Sequence, residues 1–297
     1  MRFRFLILAC LFGWPALGHA HDTELRWQFK PEESFQLETT TELTQTVKIK
    51  NQQGDLTQNV KHVLLATYRV KQANQDGYVL EQRIDSIKTE SPVGAAPPSK
   101  LFQQLEGATL LITLNDKFQL IKLEGYDEMI KKVAGDDANV VKVVTALLPK
   151  ETLIKSLEES FSFLPPAGHK AGEPWERKFD AALGPLGTLS ITNVYQMMDN
   201  ETVDGRNLAR ISVKPKITYA KPTDRTGDLP IQITDGQLNL ESASGTLWFD
   251  SAAGKLVKSD MALKLKGALT VQTSGQQDEI ELVQEQTVKI RLVEPAK

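Results

Sequence analysis

The sequence predicts a mainly β fold of the α+β class: a long curved antiparallel sheet or incomplete barrel, with a short three-helix insert packed on its apolar face. Three observations carry this prediction. Apolar and polar residues alternate over unusually long stretches on both sides of the chain's middle. The middle itself switches to helical spacing. Each alternating stretch keeps one polar face, as an antiparallel sheet with one wet side does and a buried parallel sheet does not.

The first long strand is the clearest. Phe35, Leu37, Thr39, Thr41, Leu43, Gln45, Val47 and Ile49 alternate with Gln36, Glu38, Thr40, Glu42, Thr44, Thr46 and Lys48, all polar. A helix would scatter the apolar residues around its circumference; a strand puts them on one side. At about 3.3 Å per residue the stretch runs roughly 50 Å, a length that must twist and curve. Shorter or less regular strands are predicted over 60–71, 78–88, 109–115 and 118–123. Helical stripes follow: Tyr126, Met129, Ile130 and Val133, stopped by Gly135; then Val140, Val143, Val144, Leu147 and Leu148, with Asp137 or Asn139 available as cap. Leu153, Ile154, Leu157 and Phe161 form a third, ended by Pro165-Pro166. Helices this short, each with one apolar stripe, need a sheet to pack on.

Alternation then resumes over 189–197 and through Ala209, Ile211, Val213, Pro215, Ile217 and Tyr219. Pro215 lacks the N–H for a ladder and belongs at an edge or bulge. Val257, Met261, Leu263, Leu265, Leu269 and Val271 form another apolar face, and Ile280, Leu282, Val288, Ile290 and Leu292 the last. Loops are predicted at 91–100, long and proline-rich enough to be mobile, at 164–174 and at 221–236. The two β-regions are expected to form one continuous architecture, because neither has its own helical cover.

The chain begins with an address. Arg2 and Arg4 precede an apolar run from Phe5 to Leu17, and Gly18 and Ala20 supply the small-x-small pattern of a signal peptidase site. The expected organisation is a signal peptide over 1–20, cleaved after Ala20, and one β-rich exported domain over 21–297. That domain divides into a β-half at 24–123, a helical insert at 125–163 and a β-half at 173–293. No later stretch approaches the roughly 20 apolar residues of a spanning helix. The expected location is periplasmic or extracellular. Cys10, the single cysteine, leaves with the leader, so the mature chain has no thiol for disulfides, nucleophilic catalysis or zinc. Its charge, 33 basic against 38 acidic residues, offers nothing to nucleic acid or an anionic membrane surface.

Catalytic and cofactor motifs are absent from the sequence. His21, His62 and His169 lie far apart, and none sits in a metal-binding spacing. His21 as a mature N-terminus could chelate copper only if another histidine converged on it, and no metal is expected. There is no GxSxG elbow, GxGxxG turn or Walker pattern. Asp136-Asp137 and Glu158-Glu159 are adjacent on or beside helices, where neighbours diverge by about 100° and do not converge on one substrate. No cofactor and no enzymatic activity are expected. Trp27, Trp175 and Trp248 read as packing anchors.

Three segments carry a resemblance. LPPAGHKAGEPWERKF (164–179), the strand-turn-strand GTLWFDSAAGKLVKSDMALKLKG (245–267) and ELRWQFKPEESF (24–35) resemble parts of uncharacterised secreted bacterial proteins classed as a domain of unknown function. The resemblance implies export and a β-rich fold, and brings no catalytic residues. The hairpin is also similar to one in periplasmic lipoprotein-carrier proteins, whose fold is an unclosed antiparallel barrel plugged by helices. On its own residues, Leu247 to Asp250 is a strand, Asp250-Ser-Ala-Ala-Gly254 a turn with glycine where positive φ is needed, and Lys255 begins the return.

These features leave three readings. The first is an exported, non-enzymatic protein holding an apolar or lipid-like ligand in a groove between sheet and helices, with Met197, Tyr219, Met261 and Leu263 as lining residues. The second is an envelope scaffold with a fully packed core and a protein partner on an edge strand or outer face. The third is an enzyme assembled from distant carboxylates.

Overall fold

In a computed structural model, residues 25–293 are described, except 51, 53, 91–102, 171, 183–186, 223–230 and 274–275. The predicted leader, His21 and the predicted 91–100 loop lie outside the described residues. Among the described residues, twelve strands and three α-helices follow one another along the chain. Strands β1 (Ser34–Ile49), β2 (Asp55–Asn74), β3 (Gly77–Glu90), β4 (Thr109–Leu114) and β5 (Leu120–Glu124) come first. Helices α1 (Tyr126–Ala134), α2 (Ala138–Leu147) and α3 (Lys150–Ser162) follow. Then come β6 (Trp175–Ala182), β7 (Thr188–Met197), β8 (Glu201–Val203), β9 (Arg206–Ala220), β10 (Ile231–Asp250), β11 (Lys255–Thr273) and β12 (Gln276–Val293). The predicted 221–236 loop is shorter than expected at its far end, since β10 starts at Ile231; its alternation is blurred by Asp235 and Gly236, where the register with β11 shifts.

All pairings are antiparallel, and the strand order is β5-β4-β3-β2-β1-β12-β11-β10-β9-β7-β6, with β8 on β9. The two β-regions are therefore one sheet, joined where the first strand lies beside the last: Thr39 opposes Ile290 and Leu43 opposes Gln286. The sheet curls without closing. Helix α3 lies against both end strands, β5 and β6, and fills the gap that hydrogen bonds leave open. Pro215 lies in neither an edge strand nor a bulge: it stands opposite Asn193 in the unbroken β7–β9 ladder, two residues past Val213, where the described β9–β10 ladder ends.

The helices form as their stripes require. Asp137 caps α2, its carboxylate accepting from the Asn139 and Val140 amides. Tyr126, Met129, Ile130 and Val133 of α1 are buried, as are Leu157 and Phe161 of α3. They join one large core with Val70, Leu80, Ile112, Ile211 and Phe249 from the sheet. The long strands reach past the helices, and their far ends make a small separate core of Ile233, Leu269 and Leu282. On the outer face, Trp248 packs with Leu208 and Val257.

An N-terminal strap completes the closure. Leu25, Trp27 and Phe29 alternate inward while Arg26, Gln28 and Lys30 face water. The Trp27 indole N–H donates to the Phe161 carbonyl at 2.8 Å, tying the strap to the end of α3. The Gln28 amide donates to the Gly254 carbonyl at 3.1 Å, tying it to the β10–β11 turn. Lys255, 6% exposed, donates to the Gln28 carbonyl and to Glu33 Oε2 at 3.0 Å, with its ammonium over the Phe29 and Phe35 rings.

Candidate functional site

Between the concave face of the sheet and the last turn of α3 lies a cavity of about 400 Å³. Its walls follow from strand periodicity. Phe35, Leu37 and Thr39 of β1 project inward, as do their cross-strand neighbours Tyr68 on β2 and Ile290 on β12. Leu256, Ser259 and Met261 from β11, Leu247 from β10 and Val213 from β9 continue the wall. Phe161, Phe163 and Trp27 form the roof. Gly245 opposes Met261, and a side chain there would collide, since an added Cβ would stand 1.9 Å from the Met261 sulfur. Glycine thus gives the thioether room to lie across β10 at the cavity wall.

The polar groups gather at one place. Glu159 of α3 accepts at Oε1 from Asn193 Nδ2 at 2.9 Å and from the Tyr195 hydroxyl at 2.8 Å. Asn193 and Tyr195 are 8% and 4% exposed. Burial, and then the Glu159 charge, push the Tyr195 hydroxyl far above the ordinary value of 10.0, so it remains a donor. Burial likewise raises Tyr68 to about 12. Arg177 of β6 steadies the end of α3 by donating to the Ser162 carbonyl at 2.7 Å and the Leu164 carbonyl at 2.9 Å. Trp175 donates to the Phe163 carbonyl at 2.9 Å. These donors satisfy carbonyls that a helix end leaves unpaired.

A larger cleft of about 680 Å³ borders the other side of Glu159 and Phe161. Arg26, Asp116, Lys117, Lys155, Glu158 and Lys178 line it. So many charged side chains make it a hydrated groove, whereas the smaller cavity is walled by rings and aliphatic groups.

The structure separates the residues singled out in the sequence. Met261 lines the cavity. Met197 packs against the main core from the end of β7 and is not part of the cavity lining. Leu263 shares the inner face of β11 with Met261, one step beyond the described lining. Tyr219 belongs to the distal core with Ile233 and Leu269. The four share a sheet but not a site, because strands this long carry one face far past the helices. His62 is half-buried, its ring nitrogen 2.9 Å from Thr89 Oγ1, and burial lowers its pKa. His169 lies edge-on to Trp175 and 2.7 Å from the Glu173 carbonyl. Asn193 and Tyr195 were not among the residues the sequence singled out, and Glu159 was read there only as half of the adjacent pair Glu158-Glu159. One signal was available: Asn193 occupies an apolar-face position of β7, in line with Leu189, Ile191 and Met197, where only a partner justifies an amide.

Among the described residues, no cluster of His, Cys, Asp or Glu is placed to hold a metal ion, and no helix is long and apolar enough to cross a membrane. Fold and cavity together define a curled, unclosed antiparallel sheet plugged by helices, with an apolar chamber under the plug. The chain belongs to a family of unknown function, DUF6263, whose model matches residues 61–239. No curated protein matches the chain by sequence. Among solved structures it is similar to lipovitellin, at 7% identity and TM-score 0.47, over 91% of this chain and 26% of that one. The chain thus spans about a quarter of the lipovitellin chain. It is also similar to a domain from Vibrio parahaemolyticus described as outer membrane lipoprotein-sorting, at 9% identity and TM-score 0.16, over 88% and 87% of the two chains. A DUF1329 family protein from Desulfovibrio piger is similar at 8% identity and TM-score 0.19, over 88% and 87%.

Proposed function

We propose that this is an exported, non-enzymatic protein that binds an apolar or lipid-like ligand in the cavity between the concave sheet face and α3. The observation that carries the reading is the cavity itself. Its volume of about 400 Å³ falls in the range of small-molecule sites, roughly 300–1,000 Å³, and its walls are rings and aliphatic side chains with a few convergent polar groups. Each methylene moved from water into such walls contributes about 0.8 kcal/mol. Export is supported by the leader-like first 20 residues.

The test is native mass spectrometry of the protein purified from its own envelope fraction, before and after solvent extraction. The expected result is an additional mass that extracts as an apolar compound and is lost in Met261→Arg, whose circular dichroism and melting temperature stay near the parent's. A bare polypeptide mass, with a protein partner copurifying, would overturn this reading in favour of an envelope scaffold. Ligand retained in a folded Met261→Arg variant would move the site elsewhere.

A further inference from the structure

The geometry points to the chemistry of the ligand's polar end. We infer that the cavity takes an amphiphile whose head is a hydrogen-bond donor, best an ammonium group, and that it discriminates against a carboxylate head. The inference rests on the ligand reading above.

Charge matching in the cavity wall is uneven. Lys255 is already paired: Glu33 lies 3.0 Å from its ammonium, the Gln28 carbonyl accepts a second bond, and two rings cover it. Arg177, whose charge reaches Tyr195, is aimed away from the carboxylate: its Nε and one terminal nitrogen donate to the Ser162 and Leu164 carbonyls, and among the described residues it makes no ion pair with Glu159. Glu159 has no such match. Among the described residues, no ion pair includes it, and its hydrogen bonds from Asn193 and Tyr195 both end on Oε1. The second carboxylate oxygen is left to a ligand or to water. Glu159 is itself half-buried and lies between the two cavities: on one side the chamber with Phe35, Leu37, Met261 and Ile290 in its wall, on the other the charged cleft.

The chemistry then sorts ligands by their heads. An ammonium offers only donors, which is what an unmatched carboxylate lacks; a hydroxyl offers one donor without charge; a carboxylate offers only acceptors. A carboxylate head beside Glu159 would bring two like charges together in a partly dehydrated place. The apolar wall serves the chain of each ligand equally, so the head alone sets the order.

The test is calorimetric titration of the whole protein at pH 7 with decylamine, decanol and decanoate, which share one chain length. The amine is protonated and the acid ionised at that pH. The expected order is amine, then alcohol, then acid, with amine over acid by about tenfold to a hundredfold, the size of a charge-assisted hydrogen bond. Glu159→Gln should bring the amine-to-acid ratio near one. Glu128→Gln, the same change of charge on an exposed position of α1, should leave it in place and so control for the net negative charge. Equal affinity for the amine and the acid, or a ratio unchanged in Glu159→Gln, overturns the inference while leaving the ligand reading standing. Binding of none of the three overturns both. The parent's ratio needs no variant, so it decides the matter even where Glu159→Gln fails to fold.

Discussion

Trp27 offers the sharpest test of how the strap holds α3 over the sheet. It is 5% exposed and lies within ring-contact distance of four aromatics: 5.6 Å from Phe29, 5.7 Å from Phe161, 5.5 Å from Phe163 and 5.3 Å from Phe249. Its indole N–H is the donor to the Phe161 carbonyl, at the last turn of α3. Trp27→Phe keeps a ring in the cluster and removes that donor. A buried carbonyl left without its partner costs about 1–3 kcal/mol. Trp27→Ala removes both ring and donor. Truncating a buried Trp costs about 3–5 kcal/mol, and adding the orphaned carbonyl gives roughly 4–8 kcal/mol. Domains are stable by only about 5–15 kcal/mol, so Trp27→Ala should be barely folded and Trp27→Phe folded but weakened. Urea unfolding followed by far-ultraviolet circular dichroism measures both. A Trp27→Phe variant within ~0.5 kcal/mol of the parent would refute the hydrogen-bond argument, because aromatic packing alone would then account for the site.

Two further predictions concern the same closure and a third the outer face of the sheet. Gly254 has φ +62°, and an added Cβ would stand 2.4 Å from the Gln28 backbone nitrogen, so Gly254→Ala should cost at least ~1–2 kcal/mol from the left-handed backbone alone. Hydrogen exchange at the Gln28 amide should accelerate in that variant, and an unchanged rate would place the strap's anchor elsewhere. Lys255→Met keeps the packed stem but strands Glu33 and should destabilise by about 2–4 kcal/mol, somewhat below a fully buried pair because Glu33 keeps partial access to water. Adding Glu33→Gln should recover part of the loss in urea unfolding; no recovery would mean the two charges are not coupled. On the outer face, burial acts to raise Asp260, but hydrogen bonds and charge from Arg291 and Lys258 outweigh it and hold the carboxyl below its ordinary 3.8. The unfolded value is the higher one, so this contribution is complete above about pH 5 and is lost as pH falls through the folded value. The stability deficit of Asp260→Asn should therefore be present at pH 7 and shrink as pH falls below the ordinary carboxylate range, and a deficit independent of pH would exclude the linkage.

Much of this architecture is local in origin. Alternation from Phe35 to Ile49 set the inner face of β1, and Phe35, Leu37 and Thr39 do line the cavity, with Thr39 opposite Ile290. The three helical stripes became three helices, with Asp137 as a cap and Gly254 in the positive-φ turn. Periodicity and turn chemistry are properties of neighbouring residues, so the chain states them directly. The candidate site was much less legible. Met261 reached the cavity, while Tyr219 on an equally regular strand belongs to a core beyond the helices. A strand's pattern says which face a residue takes, not how far along the face the roof extends.

By itself the sequence determined the strand faces, the helical insert and the strand-turn-strand at 245–267. Only the tertiary structure decided that β1 lies beside β12, that α3 bridges β5 and β6, and that the strap pins the helix through Trp27. It also brought Glu159 to Asn193 and Tyr195, partners 34 and 36 residues away. The physical reason is that strand order and curvature are set by the sum of many distant contacts, each too weak to mark its own residue. A cavity is the space those contacts leave, and no single side chain encodes it.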